Sequence, residues 1–402
     1  MSWLYSVCIS RNLNTGWPLI KHLQLVAIGI VIVGFILVAS LGSRSKRAIG
    51  LSEECQIPAI YNFGDSNSDT GCVSAAFGRV PYPNGITFFG KPSGRNCDGR
   101  LIIDFIAEKV GLPYLSAYLD AFQANFQHGT DFAASGTTIQ HVDGKLYGSG
   151  FNPLSLDVQL LQFEHLKERT NELYAQASFK DRMPRREDFS QALYTFDIGQ
   201  NDIHYAVTNM TDVEARQAIP ELMNQFAQAI EKLHELGART FWIHNTGPIG
   251  CLPYFLIKLP SQPGNIDEIG CLKYHNEVAK EFNRQLKNRI SELRTQLDNS
   301  TLVYVDIYSA KYSLISRSKE YGFVDPFGYC CKHSGNSGLF CWDKETMNGT
   351  AVYATSCSNP SGYISWDSIH YTEAANRWVA NRVLDGSFSD PPVPLSRLCT
   401  KS

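Results

Sequence analysis

Asp367 and His370 stand three residues apart in Trp366-Asp367-Ser368-Ile369-His370-Tyr371-Thr372. At that spacing one loop can present a carboxylate that fixes an imidazole's tautomer and stabilises the imidazolium, which suits the imidazole to general-base work. A base needs a nucleophile. The best placed hydroxyl is Ser66, inside Phe63-Gly64-Asp65-Ser66-Asn67-Ser68-Asp69-Thr70-Gly71. Small and polar residues crowded there form a tight turn with Ser66 at its apex, although an Asx-rich turn or a helix cap accounts for the same residues without chemistry. The Gly-x-Ser-x-Gly elbow of α/β-hydrolases is absent from the chain.

A nucleophile and base act on a ligand that other groups must hold. Two further segments offer them. Gly129-Thr130-Asp131-Phe132-Ala133-Ala134-Ser135-Gly136-Thr137 is a small-residue loop whose backbone can approach a ligand, and Asp197-Ile198-Gly199-Gln200-Asn201-Asp202 carries a side-chain amide. Taken singly, Gly136 is compatible with a plain turn and Asn201 with a helix cap. His370 is one of ten histidines.

These segments fall at the ends of apolar runs. Residues 57–63, 193–198, 241–244 and 302–307 read as strands. Helical spacing appears at 101–110, from Ile219 with Pro220 in the first turn to a stop at Gly237, and over 274–293. Such alternation predicts an α/β fold, a single three-layer domain whose parallel sheet is flanked by helices. In such sheets ligands bind beyond the carboxyl ends of strands, where the four segments lie. No internal repeat or domain linker is evident, so residues 56–390 are expected to form one domain, followed by a tail at 391–402.

The N-terminal part differs. Residues 25–41 are apolar or small, roughly 26 Å as a helix, flanked by Lys21 and His22 and by Arg44, Lys46 and Arg47. The run serves as a signal-anchor after a 24-residue cytosolic tail, or as a signal peptide cut near Val38-Ala39-Ser40, with 42–55 as a stem. The sequons at Asn209, Asn299 and Asn348 are candidate glycosylation sites, and ten of the eleven cysteines follow the run. Both point to a lumenal or extracellular domain. Cys330, Cys331, His333, Cys341 and Cys357 match no regular zinc spacing, so disulfides are expected there and no metal site. A net charge of -3 without a basic stripe excludes nucleic acid as a partner.

The ordered set of Ser66, Gly136, Asn201 and Asp367/His370 resembles the GDSL-type esterase/lipase family, also called SGNH hydrolases, over nearly the whole chain after residue 55. Asn245-Thr246-Gly247-Pro248-Ile249-Gly250-Cys251-Leu252-Pro253 is similar to a further block of that family. Ser68-Asp69-Thr70-Gly71, Phe88-Phe89-Gly90-Lys91-Pro92 and the segment from Asp98 to Ile106 are similar to its plant branch, in the subgroup of early-nodulin-like proteins, sinapine esterases, acetylesterases and proteins once labelled α-fucosidases. Asp131 and Ser135 depart from the pattern, where relatives usually carry Asn and Gly.

The resemblance implies a flavodoxin-like fold and ester hydrolysis with Ser66 as nucleophile, His370 as base and Asp367 behind it. The oxyanion site would comprise the Ser66 and Gly136 N–H groups and the Asn201 amide. No metal or organic cofactor is implied, and water resolves the acyl-enzyme. It further suggests an acetylesterase acting in the Golgi, as a single-pass type II protein, on cell-wall polysaccharide such as acetylated xylan or its arabinosyl branches. The competing readings are secretion after signal cleavage, esters of small phenolics or alkaloids, lipid esters, an acyltransferase, and a glycosidase using two carboxylates among Asp65, Asp69, Asp202 and Asp367. Tyr147, Phe151, Tyr205, Tyr254, Phe255, Tyr363 and Trp366 are candidates for stacking on sugar rings.

Overall fold

In the computed structural model, residues 56–398 are described, except 123, 142–151, 174–175, 177–179, 260–263, 333–340, 342–343 and 348–349. The apolar run at 25–41, Tyr147, Phe151, His333 and Asn348 lie outside the described residues. Among the described residues no helix is long and apolar enough to cross a membrane.

Strand β1 (Ile60–Gly64) is buried on both faces and sits between two parallel neighbours, β2 (Gly129–Asp131) and β3 (Leu193–Asp197). Parallel pairing continues through β4 (Thr240–His244) to β5 (Thr301–Val305). The order β2-β1-β3-β4-β5 is that of doubly wound folds, with its switch point between β1 and β3. Outside this sheet stand the pairs β6 (Asp325–Tyr329) with β9 (Tyr363–Ser365), and β7 (Lys344–Met347) with β8 (Thr350–Tyr353). The central sheet is mixed rather than wholly parallel, because β10 (Ser389–Asp390) returns antiparallel beside β5. A two-residue edge carries no apolar pattern, which is why sequence does not reveal it.

Helices cover both faces. One layer packs α2 (Leu156–Leu173), α3 (Gln200–Asn209), α4 (Asp212–Glu235) and α5 (Lys273–Gln296) against one another; the other packs α1 (Ile102–Lys109), α6 (Ile307–Ser316) and α7 (Glu373–Val383). Between the first layer and the sheet lies an aromatic stack in which the Phe63 ring is 5.2 Å from Phe132 and 5.1 Å from Phe196, with Phe163 of α2 set edge-on. Leu395 and Leu398, past the expected domain end at 390, are buried in the same core.

The expected helix start at Ile219 is corrected. α4 begins at Asp212, where Thr211 accepts from Glu214 N and Glu214 Oε2 accepts from Thr211 N at 2.8 Å, a capping box that Thr211-x-x-Glu214 spells out. Pro220 lies inside the helix, where the packed apolar stripe from Ile219 to Leu233 outweighs the lost N–H. β2 is likewise a strand where sequence suggests only a loop: Gly and Asp disguise it, and pairing to β1 makes it.

Candidate active site

The carboxyl ends of β1 and β3 adjoin, with Gly64 opposite Asp197. A Cβ on Gly64 would stand 2.5 Å from Asp197 O and 2.6 Å from Ser68 Oγ, so only glycine permits the approach. Beyond it the chain turns at once: Ser68 N and Asp69 N both donate to Asp65 O, at 3.1 and 3.0 Å, and Ser66 sits at the apex, 8% exposed. Gln159 of α2, unsignalled in the sequence, clamps this strand end by accepting from Gly64 N at 2.9 Å and donating to Gly64 O at 2.8 Å.

Ser66 lines a narrow cleft together with Asn67, Gln200, Asn201, Gly247, Lys311 and Tyr371, among others. The cleft is narrow and opens to solvent. Ile369 and Tyr371, on either side of His370, line it too, and His370 is near enough to Asp65 to act on its carboxylate.

The His370 loop is built locally. Asp367, fully buried, accepts from Ile369 N at 2.8 Å and His370 N at 2.7 Å through Oδ1, and from His370 Nδ1 at 2.8 Å through Oδ2. That last bond assigns the ring proton to Nδ1 and leaves Nε2 as the basic nitrogen. Cys330 N and Cys331 N donate to Trp366 O, and both cysteines are in disulfides, Cys330–Cys357 and Cys331–Cys341. Four of the five residues weighed for zinc therefore hold the histidine loop instead; Cys251–Cys271 is a third bridge.

The Gly136 segment and α3 are tied together. Gly136 has φ +81°, and its N–H, like that of Ser66, donates to no described residue. Asn201, in the first turn of α3 rather than at its cap, donates one amide hydrogen to Thr137 O at 2.8 Å, which fixes the amide and leaves its second hydrogen for another acceptor. Asp202 accepts from Ile139 N and Gln140 N. Burial pushes its carboxyl up to about 6, against the pull of those bonds. Ser135 does not line the cleft: its N–H donates to Asp69 Oδ2 and its hydroxyl accepts from Asn96 Nδ2. Asp131 accepts from Asn62, Ala133 and Thr70, and burial together with nearby Asp69 raises it to about 8.

Beneath Ser66 lies a charge cluster that sequence does not reveal. Burial first, then the charge of Asp197, pushes Asp65 up to about 7, although Oδ1 accepts from Asn67 N and Nδ2. Asp197 Oδ2 accepts from His244 Nδ1 at 3.0 Å, and the Trp242 indole donates to His244 Nε2 at 3.1 Å. An indole only donates, so His244 is the neutral tautomer with its proton facing Asp197.

No aspartate or glutamate among the described residues lines the cleft, and Asp69, Asp202 and Asp367 are committed to backbone N–H groups or to His370. A carboxylate pair flanking a sugar, as a glycosidase needs, is not formed by them. Of the stacking candidates, Trp366 is wholly buried and donates to Asn84 Oδ1, and Phe255 is buried in the core; neither offers a face to a sugar. Tyr205, Tyr254 and Tyr363 are half-buried. Asn209 and Asn299 are exposed.

The chain belongs to the GDSL-like lipase/acylhydrolase family, whose model matches residues 60–383, and is thereby a hydrolase. It is a carboxylic ester hydrolase. A GDSL esterase/lipase of Arabidopsis thaliana is 50% identical over 90% of this chain and 96% of its own length. A GDSL esterase/lipase of Zea mays, ACHE, is 47% identical over 87% and 91%. A protein of Arabidopsis thaliana named alpha-L-fucosidase 3 is 44% identical over 83% and 92%.

Proposed function

We propose that this chain is a serine esterase that removes O-acetyl groups from cell-wall polysaccharide, with acetylated xylan or its arabinosyl branches as substrate. The observation that carries the reading is the narrow cleft shared by Ser66, Asn201 and the residues flanking His370. A narrow cleft suits the methyl of an acetyl group.

In this mechanism Ser66 Oγ attacks the ester carbonyl as His370 Nε2 takes its proton, and Asp367 stabilises the imidazolium. The Ser66 N–H, the Gly136 N–H and the second Asn201 amide hydrogen receive the developing oxyanion. Collapse breaks the ester C–O bond, and His370 returns the proton to the departing sugar alkoxide. Water, deprotonated by His370, then splits the acyl-serine into acetate and free Ser66.

The three disulfides suit an oxidising compartment. The same reading glycosylates Asn209, Asn299 and Asn348 and uses residues 25–41 as a Golgi anchor, or as a signal removed before secretion; N-terminal sequencing of the mature protein separates the two. The activity is tested on acetylated xylan by measuring released acetate for the wild type and Ser66→Ala. Release by the wild type and none by a folded Ser66→Ala is expected; equal release by both would refute the assignment.

A further inference from the structure

Lys311 of α6 is 4% exposed, yet it reaches the cleft that holds Ser66. Its Nζ lies 4.4 Å from the centre of the Tyr371 ring, and no hydrogen bond or ion pair joins it to another described residue. The stem runs along the Gly247 backbone: a Cβ there would stand 3.1 Å from Lys311 Cδ, 3.7 Å from Nζ and 3.9 Å from Gln200 Oε1. A side chain at 247 would therefore press on the Lys311 stem. Burial pulls the Lys311 ammonium below its ordinary value, and the charges of Asp197 and Asp65 oppose that pull.

The ammonium has three donors, and at the cleft wall it can exchange water for an acceptor that enters. Tyr371 attracts the charge through its ring face but accepts none of those hydrogens in the plane of a lone pair. An acceptor entering the cleft completes the site. Nearby acidic groups, Asp197 foremost, offset the positive charge, so an anionic substrate gains little from Lys311, whereas a neutral hydroxyl oxygen gains a charge-assisted hydrogen bond without meeting net repulsion.

We propose that Lys311 is a substrate-binding residue whose ammonium donates to the hydroxyl vicinal to the acetylated carbon, so that the cleft selects monoacetylated sugar units with a free neighbouring hydroxyl. This rests on the sugar-acetate reading above and adds a recognition element to it. Hydrogen bonds to charged groups correspond to roughly 10- to 100-fold in kcat/KM. Recognition of this kind rejects the analogue that lacks the hydroxyl, because the buried donor is then left unpaired.

The test is a double-mutant cycle with the full chain and two probes, methyl 2-O-acetyl-β-D-xyloside and its 3-deoxy counterpart. The wild type should prefer the hydroxylated probe by roughly 10- to 100-fold, and Lys311→Met, which keeps length and burial, should shrink that preference to under about threefold. Lys311→Arg should retain part of it. Gly247→Ala, with Lys311 in place but crowded, should reduce it as well and carries the test if Lys311→Met does not fold. Undiminished preference in Lys311→Met, or in a folded Gly247→Ala should Lys311→Met not fold, overturns the proposal, as does a wild type that cleaves both probes equally. A wild type that cleaves p-nitrophenyl acetate but neither sugar probe overturns the sugar-acetate reading itself, and this proposal with it.

Discussion

Asp65→Asn should make the protein more stable at neutral pH and flatten its stability profile between about pH 4 and 7. The residue precedes Ser66 and is fully buried; its Oδ1 accepts two hydrogen bonds from Asn67, while Oδ2 has no partner among the described residues. Burial, with Asp197 adding to it, lifts the carboxyl from 3.8 to about 7. A carboxyl raised in the folded state favours folding below its unfolded value, and that contribution is lost as pH rises through the folded one. The gap between 3.8 and about 7, at 1.36 kcal/mol per decade, sets an upper limit of about 4 kcal/mol on the loss. Dielectric relaxation around the site brings the expected effect to about 1–2 kcal/mol. An asparagine keeps an oxygen for both Asn67 bonds and carries no charge. Urea unfolding of both proteins at pH 4, 5, 6, 7 and 8 reads the difference directly, because Asp131 and Asp202, also raised, contribute equally to each. The variant's relative stability should climb with pH and level off above about 7. Parallel profiles, or a gap that narrows with rising pH, would show that Asp65 does not titrate in this window.

Asn201→Ala removes both the bond to Thr137 O and the proposed oxyanion donor, so kcat on an activated acetate ester should fall on the order of 100- to 1000-fold with little change in melting temperature. Asp367→Asn sets an amide hydrogen against His370 Nδ1–H and inverts the tautomer; steady-state assays should show a loss on the order of 1000-fold or more in kcat, with KM nearly constant. Replacing Cys330 and Cys357 together by serine opens a 27-residue span, costing about 3–4 kcal/mol by loop entropy, and should lower kcat as well because Trp366 loses its brace; chemical denaturation and acetate release check the two effects.

Much of the candidate site was legible because its key interactions are local. Asp367 and His370 bond within one short loop, and Ser66 sits in a turn closed by Asp65 four residues or fewer away, so their types and spacing carry the geometry. The strands β1, β3, β4 and β5 and the helix α5 show in apolar periodicity, since burial on a packed sheet leaves that trace. What periodicity misses is what depends on partners far along the chain. The two-residue β10 exists only through β5, and β2 only through β1.

The sequence by itself determined the family, and it offered the serine, the histidine–aspartate pair and the small-residue segment at Gly136 as candidates, because each is a run of neighbouring residues and their order along the chain is distinctive even where each run alone is not. Only the tertiary structure decided that Gln159 clamps the strand ahead of Ser66, that Asp202 holds the Gly136 loop, that Trp366 is a buried brace, and that Asp65, Asp197, His244 and Lys311 gather under one cleft. The physical reason is the switch point: β1 and β3 are separated by more than a hundred residues of chain, and their carboxyl ends meet only when the sheet assembles. The burial and charge that shift Asp65 and surround the Lys311 ammonium arise at that meeting.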